Sequence, residues 1–459
     1  MSSMTSMTSM TSDMNKLYNV LGSYLLPVLA GIVKEYATDI DIFSNSYAFA
    51  VRMPDGSVVT WGHPDYGGDS RHVQDELKQG VDTFYSTEWA FAAKMLDGSV
   101  VTWGYAEWGG DSSSVQAELK QGVDTIYSTE RAFAAKMLDG SVATWGDAFY
   151  GGDGSVVQAE LKQGVDAIYS NYFAFAAKMQ DGSMVTWGYA NWGGDSSRVQ
   201  AELMQGVDTI FSTDRAFAAK MRDGSVVSWG YADWGGDSSV VQAELKQGVD
   251  TIYSTGRAFA AKMLDGSVVT WGDADYGGDS RRMQAELKQG VDTIYSTEYA
   301  FAAKMQDGSV VTWGSDYSGG DSRRVQAELK QGVKTIYTTN YAFAAKMQDG
   351  RVVTWGDTRY GGDSSHVQAE LKQGVDTIYS TYRAFAAKMQ DGSVVTWGHA
   401  GSGGDSSRVQ AKLKQGVDTI YSTHCAFAAK MRDGSVVSWG HVDSGGDSSR
   451  VQAKLNIQF

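Results

Sequence analysis

Cysteine is almost absent from the chain: Cys425 is the only one in 459 residues. No disulfide can form within the chain, so packing alone must hold the frame. A reducing cytoplasmic or nuclear compartment is the simpler expectation, although a repeat protein with a large core can also be secreted or membrane-anchored without disulfides. Proline is nearly as scarce. Pro27, Pro54 and Pro64 all lie near the N-terminus, which leaves the punctuation of the chain to its 54 glycines. Positive charge is in deficit too, with 39 Lys and Arg against 54 Asp and Glu and a net charge of −15. Such a balance favours solubility and opposes a grip on phosphate backbones, so no direct nucleic-acid partner is expected. The chain lacks a phosphate-binding glycine loop, clustered cysteines and any nucleophile–base signature. We therefore expect no enzyme activity, no cofactor and no resident metal.

What the sequence does hold is a repeat. Tryptophan–glycine pairs fall at Trp61, Trp103, Trp145, Trp187, Trp229, Trp271, Trp313, Trp355, Trp397 and Trp439, always 42 residues apart. Residues 40–459 are thus ten copies of one unit, the signature of an array whose units stack their apolar faces on their neighbours. Ten near-copies offer repeated surfaces and make a poor unique catalytic constellation. Ahead of the array, residues 1–13 form a low-complexity tail (MSSMTSMTSMTS and Asp13) with nothing to bury, and disorder is expected there. Residues 14–39 contain an apolar stretch from Leu17 to Val33. It reads as a helical cap for the first unit, or alternatively as a signal or anchor segment.

The second unit shows the local logic. Asp82–Thr87 (DTFYST) is β-prone, and AFAAKM (Ala90–Met95) and SVVTWG (Ser99–Gly104) flank an Asp97-Gly98 pair. Asp-Gly between two short apolar runs signals a hairpin, with the first strand beside it. After Gly109-Gly110-Asp111, the segment SSSVQAELKQ (Ser112–Gln121) predicts about two helical turns. Val115 and Leu119 share one face of it, Asp111 caps it and Gly122 stops it. The fold class is mainly β, built of tandem units of three strands plus a short helix. A β-propeller-like ring, an open spiral or two partial rings of such units all fit.

The string A-F-A-[AV]-[KR]-M-x-D-G-[SR]-x-x-[TS]-W-G, carried by all ten units, resembles the repeat of the regulator of chromosome condensation family. That resemblance implies β-propeller architecture and a platform for binding macromolecules. The family also includes a guanine-nucleotide exchange factor and partners of ubiquitin ligation. No unit here carries the exchange factor's inserted wedge, and no ligase domain is expected with the array. The units are shorter than usual and place a predicted helix where an outer strand normally lies.

Two variable patches per unit interrupt this frame, one before Ala-Phe and one after Trp-Gly. Their large side chains are the candidate binding residues: Trp89, Trp108, Arg131, Tyr150, Trp192, Arg215, Trp234, Arg257, Tyr276, Tyr360 and Arg383. We expect a non-catalytic scaffold that binds other proteins through these strand-end loops. The residue before Gly-Gly-Asp is aromatic in seven units, including Tyr66, Trp108 and Trp192. This allows a second reading, a multivalent lectin using each ring as a sugar platform; the alternative is that each ring packs between neighbours. A third reading, a subunit linked to small-GTPase exchange or ubiquitin ligation, rests on family association alone. The lysines within the strands (Lys94, Lys136 and equivalents) are expected to pair with aspartates of adjacent units. His63, His399 and His441 share one repeat position, at which ring closure would make them neighbours.

Overall fold

A computed structural model describes residues 40–455. The expectations for residues 1–13 and 14–39 lie outside the described residues. Ten three-stranded antiparallel sheets follow one another, each in the order first, second, third strand. In the second blade the strands are Val81–Ser86, Ala90–Met95 and Val100–Gly104. The hairpin turn between the last two forms as its Asp-Gly pair predicts. Gly98 adopts φ +79°, and the Asp97 carboxylate accepts from the Ser99 amide at 2.9 Å.

The AFAAKM strand explains how blades stack. Side chains alternate across a strand, so Phe91 and Ala93 face one neighbour while Ala90 and Ala92 face the other. Phe91 lies across from Trp103 in register and stacks on it at 5.1 Å. This aromatic pair packs against Ala48, Ala50 and Val58 of the preceding blade. On the other side Ala90, Ala92 and Val100 receive Phe133 and Trp145 of the next blade. A bulky face against a face of alanines repeats at every interface, so the core is a ring of such layers. Each tryptophan also reaches back. Trp103 Nε1 donates to the Gly67 carbonyl of the previous blade at 3.0 Å, and Trp145 Nε1 donates to Gly109 at 3.1 Å.

The same contacts join the last blade to the first. Trp61 Nε1 donates to the Gly445 carbonyl at 2.9 Å, and Ser44 Oγ donates to the Ser422 carbonyl at 2.8 Å. Ile40, Phe49 and Trp61 share one apolar cluster with Ala426, Ala428 and Leu455. The array is therefore a closed ten-bladed ring rather than an open spiral or two partial rings. No strand is exchanged at the seam, since every sheet is made wholly from its own stretch of chain.

Two local expectations need correction. The Ser112–Gln121 segment is not a two-turn α-helix but a pair of 3-10 turns, Ser113–Val115 and Glu118–Lys120. A serine-rich segment of ten residues is too short to nucleate a helix unaided. Tertiary contacts then choose the shape: Leu119 is fully buried and Val115 packs on the same cluster. In most blades the glutamine of this segment also donates to the third strand, as Gln200 Nε2 does to the Met184 carbonyl at 2.9 Å. Four-residue α-helices appear at Gln200–Leu203 and Gln452–Leu455. The Asp111 cap is present, accepting from the Ser113 amide at 2.9 Å.

The lysine ladder differs in its partners. Lys136 Nζ lies 3.0 Å from the Asp124 carboxylate of its own blade, as Lys262 does from Asp250. The adjacent blade supplies a backbone carbonyl instead, such as Asp124 O for Lys94 at 2.9 Å. The cause is a bulge: the register shifts between Val123 and Thr125, and at a bulge the extra residue leaves the regular ladder. The preceding blade's lysine satisfies the freed carbonyl.

Candidate functional site

The first strands line a central cavity of about 780 Å³. Each contributes a Ser-Thr-X triplet or a close variant, such as Ser86-Thr87-Glu88, at the end of its strand. The serine hydroxyls link blade to blade, for example Ser128 Oγ to the Ser86 carbonyl at 2.8 Å and Ser170 Oγ to Ser128 at 2.7 Å. The X residues are joined by a belt of backbone bonds. The Glu130 amide donates to Tyr172, Asp214 to Gly256 and Gly256 to Glu298, each at 3.0 Å. The belt crosses the seam where the His424 amide donates to Ser46 at 3.1 Å. The threonines anchor the loops beyond the strand ends: Thr87 Oγ1 accepts from the Trp89 and Ala90 amides and donates to the Trp108 carbonyl at 3.1 Å. That one hydroxyl ties both variable patches of a blade together.

Outside the cavity mouth those patches interleave in a stack that runs most of the way around one face. Tyr66 meets Trp89 edge-on at 4.7 Å, and Trp89 meets Trp108 at 4.9 Å. Arg131 lies over Trp108 at 4.3 Å and Tyr150 at 4.7 Å. Phe173 bridges Tyr150 and Trp192. Arg215 then lies over Trp192 at 4.1 Å and Trp234 at 4.0 Å, and Arg257 over Trp234 at 4.1 Å and Tyr276 at 4.3 Å. Tyr299 and Tyr341 stack directly at 5.3 Å across the small Ser318, and Arg383 lies over Tyr360. All eleven candidate residues predicted from the sequence thus fall in one structure. The ten repeat tryptophans stand apart from it, buried in the blade interfaces.

This packing bears on the sugar-platform reading. Trp192 has Tyr189 stacked at 4.0 Å and Arg215 over its ring. Trp234 carries two guanidinium groups, those of Arg215 and Arg257, at 4.0 and 4.1 Å from its ring centre. Rings held between neighbours in this way are half-buried rather than free-standing platforms. The side chains that stand free are one residue earlier: Phe149 is 71% exposed and Tyr317 85%, and Glu107, Asp233 and Asp275 are exposed at the same repeat position. The sequence places this position within the variable patch after Trp-Gly, but the candidate residues are the larger, more regular aromatics beside it.

The cavity mouth is formed by the first residue of the variable patch before Ala-Phe, beside the candidate positions Trp89, Arg131, Arg215, Arg257 and Arg383. Its X positions read Ser46, Glu88, Glu130, Tyr172, Asp214, Gly256, Glu298, Asn340, Tyr382 and His424. Burial pushes the Glu88 carboxyl up to about 7, helped by the charge of Glu130. It pushes Asp214 up to about 8, with Glu298 adding to the effect, and it raises Glu130 and Glu298. Burial drives the His424 imidazole down to about 3. His424 Nε2 lies 2.6 Å from Ser46 Oγ and 3.9 Å from Glu88. Only the convergence of ten strand ends makes these residues neighbours; 42 residues separate each from the next. Two of the three aligned histidines have partners of their own: His63 stacks on Tyr66 at 3.9 Å and His399 bonds Ser402 Oγ at 3.1 Å. No group of metal-ligating side chains forms among the described residues.

Comparison with known proteins places the chain at a distance from all of them. No family profile matches it, and no curated protein does. Among solved structures, yeast RCC1 (Prp20) bound to Kap60 is similar at 15% identity and a TM-score of 0.33, covering 81% of each chain. Prp20p from Saccharomyces cerevisiae, in a structure described with its binding to Gsp1p and histones, is similar at 14% identity and 0.31, covering 80% of this chain and 84% of that one. The ectodomain of the Physcomitrella patens receptor kinase CR4 is similar at 14% identity and 0.33, covering 61% and 73%. Function has to be read from this chain's own residues.

Proposed function

We propose that the protein is a non-catalytic binding scaffold of the condensation-regulator type, with other proteins as partners in a cytoplasmic or nuclear setting. One observation carries this reading. Both variable patches of every blade emerge on the same face of the ring, around the cavity mouth. The opposite face largely repeats one Asp-Gly turn. A rigid frame with its sequence variation confined to one face is how loop-borne recognition surfaces are built. The interleaved aromatics and arginines set the floor of that face, and the exposed residues at the Glu107, Phe149 and Tyr317 position supply the contacts. Exposed aromatics of this kind are the side chains that dominate protein interfaces.

The test compares the two faces. Phe149→Asp/Tyr317→Asp changes the variable face, and Leu96→Asp/Leu264→Asp changes the turn face, where both leucines are 76% exposed. All four sites are open to solvent, so both double variants are expected to fold. Partners captured from lysate by the unaltered ring should be lost by the first variant and kept by the second. Equal retention by both, or loss by the turn-face variant alone, would contradict the assignment.

A further inference from the structure

Gly256 is the one glycine among the ten X positions of the cavity mouth, and the space it leaves is occupied from both sides. A Cβ built on Gly256 would lie 2.1 Å from Glu298 Oε1 and 3.0 Å from Asp214 Oδ2. The two carboxyl groups, from the blades on either side, therefore converge over the glycine. Ionised carboxylates are acceptors only, so a hydrogen bond between two that converge this closely requires a proton. We propose that Asp214 and Glu298 hold one proton between them across the Gly256 gap, and that its loss as pH rises adds a negative charge to the cavity mouth and loosens the ring there.

The surroundings fix the sign. Arg215 and Arg257 favour the ionised form, and both guanidinium groups are engaged on the Trp234 ring. The phenols of Tyr172 and Tyr276 feel the charge of both carboxyls, and those of Tyr299 and Tyr382 that of Glu298. All four are raised above the ordinary tyrosine value, so they stay neutral and supply no counter-charge. Glu88 and Glu130 are the remaining carboxylates at the mouth, and burial suppresses their ionisation too. Burial and mutual repulsion thus outweigh the two arginines. The folded protein keeps a proton that the unfolded chain releases near the ordinary carboxylate value. This contribution is complete below that value, falls as pH rises through the pair's own, and is constant above it. Ordinary salt-bridged carboxylates have the opposite slope.

The experiment follows the carboxyl carbons of Asp214 and Glu298 by ¹³C NMR in the full-length protein, assigned through Asp214→Asn and Glu298→Gln. One carboxyl should titrate with a midpoint above about pH 6, well outside the range of a solvated carboxylate. Gly256→Ala places a methyl where the pair meets and should lower that midpoint. In melts across the same range, the fall in melting temperature with rising pH should be smaller in Asp214→Asn, whose amide donates to Glu298 without titrating. If Gly256→Ala does not fold, the wild-type midpoint and the Asp214→Asn melts decide. Midpoints below about pH 6 for both carboxyls, or a midpoint indifferent to Gly256→Ala, would overturn the proposal. So would identical pH dependence of the Asp214→Asn and wild-type melts.

Discussion

Replacing Gly109 by alanine should destabilise the ring far more than replacing Gly122, although both glycines have positive φ. Gly109 has φ +105° and Gly122 has φ +78°, so each substitution incurs the backbone strain of an L-residue in that region, about 1–2 kcal/mol. Each also gains a few tenths of a kcal/mol from restricting the unfolded chain, which cancels between them. Their surroundings differ. A Cβ at Gly122 meets nothing within 4 Å, whereas at Gly109 it lies 2.6 Å from two ring carbons of Phe133 in the next blade. Phe133 is fully buried and stacked on Trp145, so it has nowhere to move. Overpacking at such a site costs about 1–3 kcal/mol more. The expected losses are about 1–2 kcal/mol for Gly122→Ala and about 2–5 kcal/mol for Gly109→Ala, read as urea-midpoint shifts at constant slope. Equal shifts would refute the claim that the Gly-Gly motif exists to admit the next blade's phenylalanine.

Trp234→Ala removes the ring that supports both Arg215 and Arg257. It should cost about 1–3 kcal/mol in the same titration, and no loss would show that the stack adds nothing to the frame. Trp145→Phe leaves the buried Gly109 carbonyl without its donor and should cost about 1–3 kcal/mol; a neutral outcome would remove the indole bond from the account of blade docking. His424 is depressed to about 3 from 6.5, so its contribution is full above pH 6.5 and is lost as pH falls toward 3. The slope is about 1.4 kcal/mol per pH unit. His424→Gln should flatten that acid limb of a stability–pH profile, and an unchanged limb would mean that the imidazole is not buried neutral.

The blade was legible in the sequence because its signals are local. Asp-Gly marks the hairpin, alternation in AFAAKM sorts the faces, and ten tryptophans count the units. Closure was not legible, since the bond from Trp61 to Gly445 spans nearly the whole array and looks in sequence like any other Trp and Gly. The 3-10 turns were mistaken for helix because Val115 and Leu119 obey a four-residue spacing that two short turns satisfy equally well. At the candidate site the eleven large side chains were found by their variation on a constant frame. Their mutual stacking was hidden, because Arg131 touches Trp108 of one blade and Tyr150 of its own. The Gly256 gap was the least visible feature: a glycine in a variable patch reads as drift until the carboxyls on either side are seen to meet over it.

Ring closure carries the most weight, because only a closed ring assembles one cavity and one continuous binding face. Spin labels at Asp65 and Asp443, in a Cys425→Ser background, report the separation of the first and last blades at equivalent exposed positions. Labels at Asp233 and Asp275 report the same separation for two blades adjacent in sequence. A closed ring predicts superimposable distance distributions for the two pairs. A clearly longer distance between Asp65 and Asp443 would mean an open array and would contradict the account.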